Sequence, residues 1–128
     1  MQIEFATLDR CSSARGVVIA VDVMRAFTTA AFAFAAGARR ILLAGEVEQA
    51  LAMRGRFPDA LVMGESGGLP VPGFDLWNSP AQFDGLNLAG RTLIQRTSAG
   101  TQGIVRSSSA EWLFAASFVV AGATAQAV

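Results

Sequence analysis

The sequence contains no histidine, no lysine and no tyrosine, and only one cysteine. Without histidine there is no Ser-His-Asp or Cys-His dyad, no imidazole metal ligand, and no default general base near neutral pH. A single cysteine excludes an intramolecular disulfide and a cysteine-based zinc site. The absence of lysine excludes a Walker A loop, which needs GxxxxGK[ST]. Charge is also scarce: ten arginines balance ten acids, and charged residues make up 16% of the chain. That composition lacks the basic footprint of a general nucleic-acid binder, so no nucleic-acid partner is expected. Long apolar runs are lacking too. Ala26–Ala38 carries no charge but is too short to span a bilayer, and Trp112–Val128 is diluted by Ala, Ser, Gly, Thr and Gln. No membrane partner is expected. The opening MQIEFATLDR has acids where a signal peptide has a basic start and an apolar run, so the cytoplasm is the expected compartment. The chemistry that remains belongs to Asp, Glu, Arg, Ser, Thr, backbone N–H groups and a hard cation such as Mg²⁺.

What is present is apolar bulk, at 52% of residues with a mean hydropathy of +0.43, carried largely by alanine. A length of 128 residues fits a single domain. The β-branched run Gly16–Val21 reads as a buried strand, and Arg25–Ala36 as a helix stopped by Gly37. Arg40–Ala44 is the next strand and Glu46–Arg54 the next helix, with acids at its start and an arginine at its end. Leu61–Met63 is a third strand, followed by a Gly- and Pro-rich structured loop over Gly64–Pro80. Arg91–Gln95 resumes strand character, a short helix starts near Gly100, Leu113–Ala116 reads as a last strand and Phe118–Val128 as a helix. This alternation predicts an α/β fold with a mainly parallel sheet flanked by helices, similar to a three-layer sandwich. Gly37 and Gly103 read as punctuation, Cys11 as a near-surface thiol, and Trp112 and Phe118 as core or interface residues.

Ligands of open α/β sheets gather beyond the carboxyl ends of the strands, and four segments fall there. Asp22 follows the first strand, with Arg25 three residues on. Such a carboxylate can hold a cation or orient a nucleophile, and the arginine can clasp a phosphate; a helix cap beside a surface arginine is the plainer reading. Glu65 lies in GESGG, whose glycines permit close backbone approach to a ligand, or simply a solvated turn. In GFDLWNSP, apolar Phe74 and Leu76 anchor the loop around Asp75, while Asn78 and Ser79 add polar groups and Pro80 stiffens the exit. An Asx-turn explains that segment equally well. RTSAGT places Arg96, Thr97, Ser98 and Thr101 after a strand, suited either to an oxyanion or to capping the next helix.

In order and spacing, these segments resemble the 2-phosphosulfolactate phosphatase family. The similarity is carried by VVIAVDVMRAFTTAAFAFAAGARRILLAGEVEQAL, GESGG, GFDLWNSPAQF, RTLIQRTSAGT and LFAASFVVAGA. The resemblance implies a Mg²⁺-dependent phosphatase that hydrolyses a small phosphorylated acid, 2-phospho-3-sulfolactate, to 3-sulfolactate and phosphate. In some organisms that step belongs to coenzyme M synthesis. It further implies Asp22, Glu65 and Asp75 as metal-ligand or water-activating carboxylates, with Arg25 as their catalytic companion. Asn78, Ser79, Arg96, Thr97, Ser98 and Thr101 are then the phosphate or sulfonate contacts. Attack by an activated water and a phosphoaspartyl intermediate at Asp22 both use this inventory. Ser66, Trp77 and Ala99 stand where the family pattern has Arg, Gly and Asn. The family architecture extends further, so the chain is expected to correspond to its N-terminal portion. A homo-oligomer is expected from uncovered apolar helix faces, and a shortened anion- or metal-binding relative without turnover is the alternative function.

Overall fold

A computed structural model describes residues 2–128. Among these residues six strands, all parallel to their neighbours, form two sheets. β1 (Val17–Val21) pairs with β6 (Trp112–Ala116), in register from Val17 opposite Trp112 to Val21 opposite Ala116. The second sheet runs β2 (Arg40–Leu43), β5 (Thr92–Arg96), β3 (Leu61–Gly64), β4 (Leu76–Trp77). Parallel strands require long crossovers, which α1 (Ala26–Ala35), α2 (Val47–Arg56) and α3 (Gly100–Arg106) help supply. A last helix, α4 (Ala121–Ala127), follows β6.

Period-2 alternation along β3 and β5 sorts their side chains into two cores. Met63 and Leu93 pack with Ala33 of α1, Ala38, Phe83 and Leu88 on one face. Val62 and Ile94 pack with Ala44, Ala50 of α2 and Ala60 on the other. Helices therefore cover both faces of the four-stranded sheet, and the architecture is the α/β three-layer sandwich that the strand–helix alternation implies. Alanine sets the layer spacing: Ala33, Ala44 and Ala50 are fully buried, and their short side chains let helix and connecting backbone approach the strands closely. Burying each large side chain, such as Leu93 or Ile94, contributes about 2–3 kcal/mol.

Helix α1 ends where Gly37 predicts, in a Schellman arrangement: the Gly37 N–H donates to the Phe34 carbonyl and the Ala38 N–H to that of Ala33. Elsewhere the structure departs from expectation. The Gly- and Pro-rich segment contains strand β4, made possible by Met63 opposite Leu76 and Gly64 opposite Trp77. A two-residue strand carries too short a periodicity to be read in sequence. The final helix is divided into a 3-10 turn, Phe118–Val120, and α4. Gly103 lies within α3, not at an end, and a Cβ there would meet Leu8, and Ala20 of β1, only at ordinary contact distance. Cys11 is buried, with its thiol against the Leu8 carbonyl, because a 3-10 turn over Cys11–Ser13 folds it inward. Trp112 and Phe118 are exposed at 66% and 78% and belong to no core. Among the described residues no helix is long and apolar enough to cross a membrane.

Candidate active site

The carboxyl ends of the strands carry Asp22 after β1, Glu65 after β3, Asn78 after β4, and Thr97 and Ser98 after β5. Two contacts bring the two sheets' ends to one rim. The Arg25 guanidinium carbon lies 5.6 Å from the Trp77 ring centroid. Gly100, opening α3, sits so close to Asp22 that an added Cβ would lie 2.7 Å from Oδ2 and 2.6 Å from the Ala26 Cβ.

Glu65 is buried and holds the rim loops together. Its Oε1 accepts the Ser98 N–H at 2.5 Å, and its Oε2 accepts the Gly68 N–H at 2.6 Å and the Ser98 hydroxyl at 3.1 Å. Burial by itself would raise this carboxyl's pKa; the Ser98 and Gly68 N–H groups, the Ser98 hydroxyl and the Arg96 charge outweigh it and hold the pKa below the ordinary glutamate value. Arg96 is occupied by the backbone, donating to the carbonyls of Glu65 at 2.9 Å and Gly45 at 3.2 Å. The close approach of β3 and β5 behind this cluster requires glycine at position 64. Its φ is +136°, and a Cβ there would lie 1.8 Å from the Arg96 carbonyl oxygen.

Thr97 and Thr101 are buried and tie the loop after β5 to the first turn of α3 through reciprocal hydrogen bonds. The Thr97 N–H donates to Thr101 Oγ1 at 2.7 Å, the Thr101 N–H donates to Thr97 Oγ1 at 3.0 Å, and the Thr101 hydroxyl donates to the Thr97 carbonyl at 2.9 Å. Asp75 shares no hydrogen-bond partner with Glu65 among the described residues. Its carboxylate accepts from Arg54 of α2 at 2.5 Å and from the Val62 N–H at 2.7 Å, while its own N–H donates to the Val62 carbonyl. Phe74 and Leu76 pack into opposite cores, as anchoring of this loop predicts. Asp22, Glu65 and Asp75 are therefore not gathered: among the described residues no group of three acidic or sulfur ligands could together hold a metal ion.

Asp22 and Arg25 stand differently. Asp22 is half-buried; Oδ1 accepts the Ala26 N–H at 3.2 Å, and no hydrogen bond reaches Oδ2 among the described residues. Arg25 is half-buried, and the one ion pair among the described residues, Arg54–Asp75, does not involve it. Asn78 is buried with Oδ1 unpartnered among the described residues, and Ser79 beside it is half-buried. Ser117 at the end of β6, Thr29 in α1 and Gln95 in β5 also hold unpartnered buried oxygens.

Three residues escape sequence reasoning. Gln95 is fully buried and donates to the Ala26 carbonyl at 2.9 Å, tying β5 to the start of α1; the signal was a lone amide ending an apolar strand. Gln102 donates to the Gly45 carbonyl at 2.6 Å, with no sequence signal to mark it. Arg54 holds Asp75 across 21 residues, a separation at which helix and loop patterns are silent.

A family model described as 2-phosphosulpholactate phosphatase matches residues 5–128. A Bacillus subtilis protein named "Probable 2-phosphosulfolactate phosphatase" is 41% identical over 86% of this chain and 48% of its own. A Carboxydothermus hydrogenoformans protein of the same name is 43% identical over 84% of this chain and 44% of its own. One from Deinococcus radiodurans is 47% identical over 66% and 35%. The chain thus spans about half, or less, of the length of these curated relatives. With the motif order, the parallel rim and the match over nearly every residue in agreement, the chain belongs to the 2-phosphosulpholactate phosphatase family.

Proposed function

We propose that the chain contributes a phosphate-monoester hydrolase site acting on a small phosphorylated acid of the 2-phospho-3-sulfolactate class, giving the 2-hydroxy acid and phosphate. One observation carries this reading. At the rim, among the described residues, Asp22 has a carboxylate oxygen without a hydrogen bond and Arg25 has no carboxylate partner, whereas Glu65, Asp75 and Arg96 are occupied by structural contacts. Phosphoryl transfer needs charge neutralisation and positioning more than covalent assistance, so a site without histidine is adequate.

A cage of three carboxylates for Mg²⁺ does not fit this arrangement. A cation held by one carboxylate together with substrate phosphate oxygens does fit, since Mg²⁺ commonly binds through one or two carboxylates and keeps its waters. Asp22 is the residue that would hold it, and its chemistry there would be neutralisation of phosphate charge. Arg25 binds two phosphate oxygens through its guanidinium edge. Glu65 and Ser98 keep the loops after β3 and β5 in place.

Phosphate release from the racemic phosphosulfolactate, measured with and without Mg²⁺, tests the proposal. Metal-dependent turnover is expected, and Asp22→Asn should lower it about 100-fold or more. Phosphate binding without turnover would favour the non-catalytic relative instead. A homo-oligomer belongs to the same proposal, supported by exposed Val17, Ile19, Val21 and Trp112 on one β1–β6 face. Light scattering at micromolar concentration checks it; a mass of 13.4 kDa would count against it.

A further inference from the structure

Trp77 closes β4, and its backbone is held on both sides. Its N–H donates to Gln82 Oε1 at 2.8 Å, its carbonyl accepts from Gln82 Nε2, and it lies opposite Gly64 in the parallel ladder. An indole on such a backbone is a stiff platform. It remains 42% exposed, at the rim, with the Arg25 guanidinium over its ring. Arg25 makes no side-chain hydrogen bond and no ion pair among the described residues, so the indole is the group that restrains its charged end. A guanidinium held over a ring through its charge keeps the N–H groups that do not face the ring free for an oxyanion. A free arginine loses much rotamer freedom when it binds an anion; one already held by a cation–π contact loses less.

We propose that Trp77 is a positioning residue, its indole holding the Arg25 guanidinium at the rim so that its N–H edge meets a phosphate or sulfonate group. The inference rests on the reading of Arg25 as the anion contact. The ligand class follows from the donor: a tetrahedral oxyanion with two oxygens to accept a guanidinium fork.

The test uses the full 128-residue chain carrying Trp112→Phe, which leaves Trp77 as the sole tryptophan, with inorganic phosphate as the probe. Two signals are followed: the ring-current shift of the Arg25 Nε–H resonance, and Trp77 emission during phosphate titration. The shift should be present in this parent, retained in part in Trp77→Phe and lost in Trp77→Ala. Phosphate affinity of Trp77→Ala, followed by the remaining NMR shifts, should fall about two- to fivefold, the range of an exposed cation–π contact. Arg25→Ala should lose about tenfold or more, and adding Trp77→Ala to it should cost nothing further. Unchanged affinity in Trp77→Ala, an absent ring-current shift in the parent, or additive losses in the double variant would overturn the proposal while leaving Arg25 as the anion contact. A parent that does not bind phosphate, or Arg25→Ala binding as the parent does, overturns the site reading and this proposal with it. Far-UV circular dichroism and thermal melts on each variant separate lost binding from lost fold.

Discussion

At the scale of single residues, identical chemistry serves different ends. Three carboxylates stand near strand ends, but their oxygens have different partners. Both Glu65 oxygens accept hydrogen bonds from Gly68 and Ser98, Asp75 is held by Arg54 and the Val62 N–H, and among the described residues Asp22 keeps Oδ2 without a hydrogen bond. A pH dependence follows for Glu65. Its folded pKa lies below the ordinary glutamate value, so its stabilising contribution is fully present above about pH 4.3, the unfolded value. That contribution is lost as pH falls through that value towards the folded one. Glu65→Gln should destabilise the protein by about 2 kcal/mol at pH 7, the scale of hydrogen bonds to a charged group. The difference should narrow on acidification, and urea denaturation at pH 7 and pH 3.5 measures both. The exposed Arg54–Asp75 pair contributes at most about 1 kcal/mol on its own account.

Among elements, the junction of β1, α1 and α3 decides the site. Gly100 lets the start of α3 meet Ala26 and Asp22 at distances no side chain would allow. Gln95 reaches from β5 to the Ala26 carbonyl, and the Thr97–Thr101 hydrogen bonds tie the first turn of α3 to the end of β5. Gly100→Ala should therefore act twice. Overpacking should cost about 1–3 kcal/mol in denaturant titration, and displacement of Asp22 should lower phosphate release beyond what the stability loss explains. A variant that loses stability but retains full turnover per folded molecule would mean that Asp22 does not depend on this junction. The loops on either side were legible as turns, because Gly and Pro mark them. Strand β4 was not, since its two residues pair only because β3 is already in place beside them.

For the whole molecule, the contrast lies between a covered sheet and an uncovered one. The four-stranded sheet buries side chains on both faces, whereas β1, whose β-branched run reads in sequence as a buried strand, instead shows Val17, Ile19 and Val21 to solvent at 43–67% exposure. Substitutions at the two places should diverge. Ile94→Ala, in the doubly covered strand, should cost about 2–5 kcal/mol. Ile19→Ser, on the open face, should change the stability of the separate chain by about 0.5 kcal/mol or less and weaken any self-association read by light scattering.

The α/β class, the places of five of the six strands found among the described residues and the cap at Gly37 follow from local causes: β-branched runs, charges and stops at helix ends and the turn chemistry of Gly and Pro act within a few residues. Those forces operate in the sequence itself and leave their pattern there. The motif order that marks family membership is local in the same sense. The occupancy of each carboxylate is of another kind. Gly68 and Ser98 meet on Glu65 across 30 residues, Arg54 reaches Asp75 across 21, and Gln95 reaches Ala26 across 69. Which acid is left with an open oxygen depends on donors that parallel pairing brings together, because parallel strands join segments that long crossovers keep apart in sequence. The sequence alone therefore set the inventory of charged groups and the end of the sheet where they collect, and only tertiary packing separated Asp22 and Arg25 from the residues that hold the rim in shape.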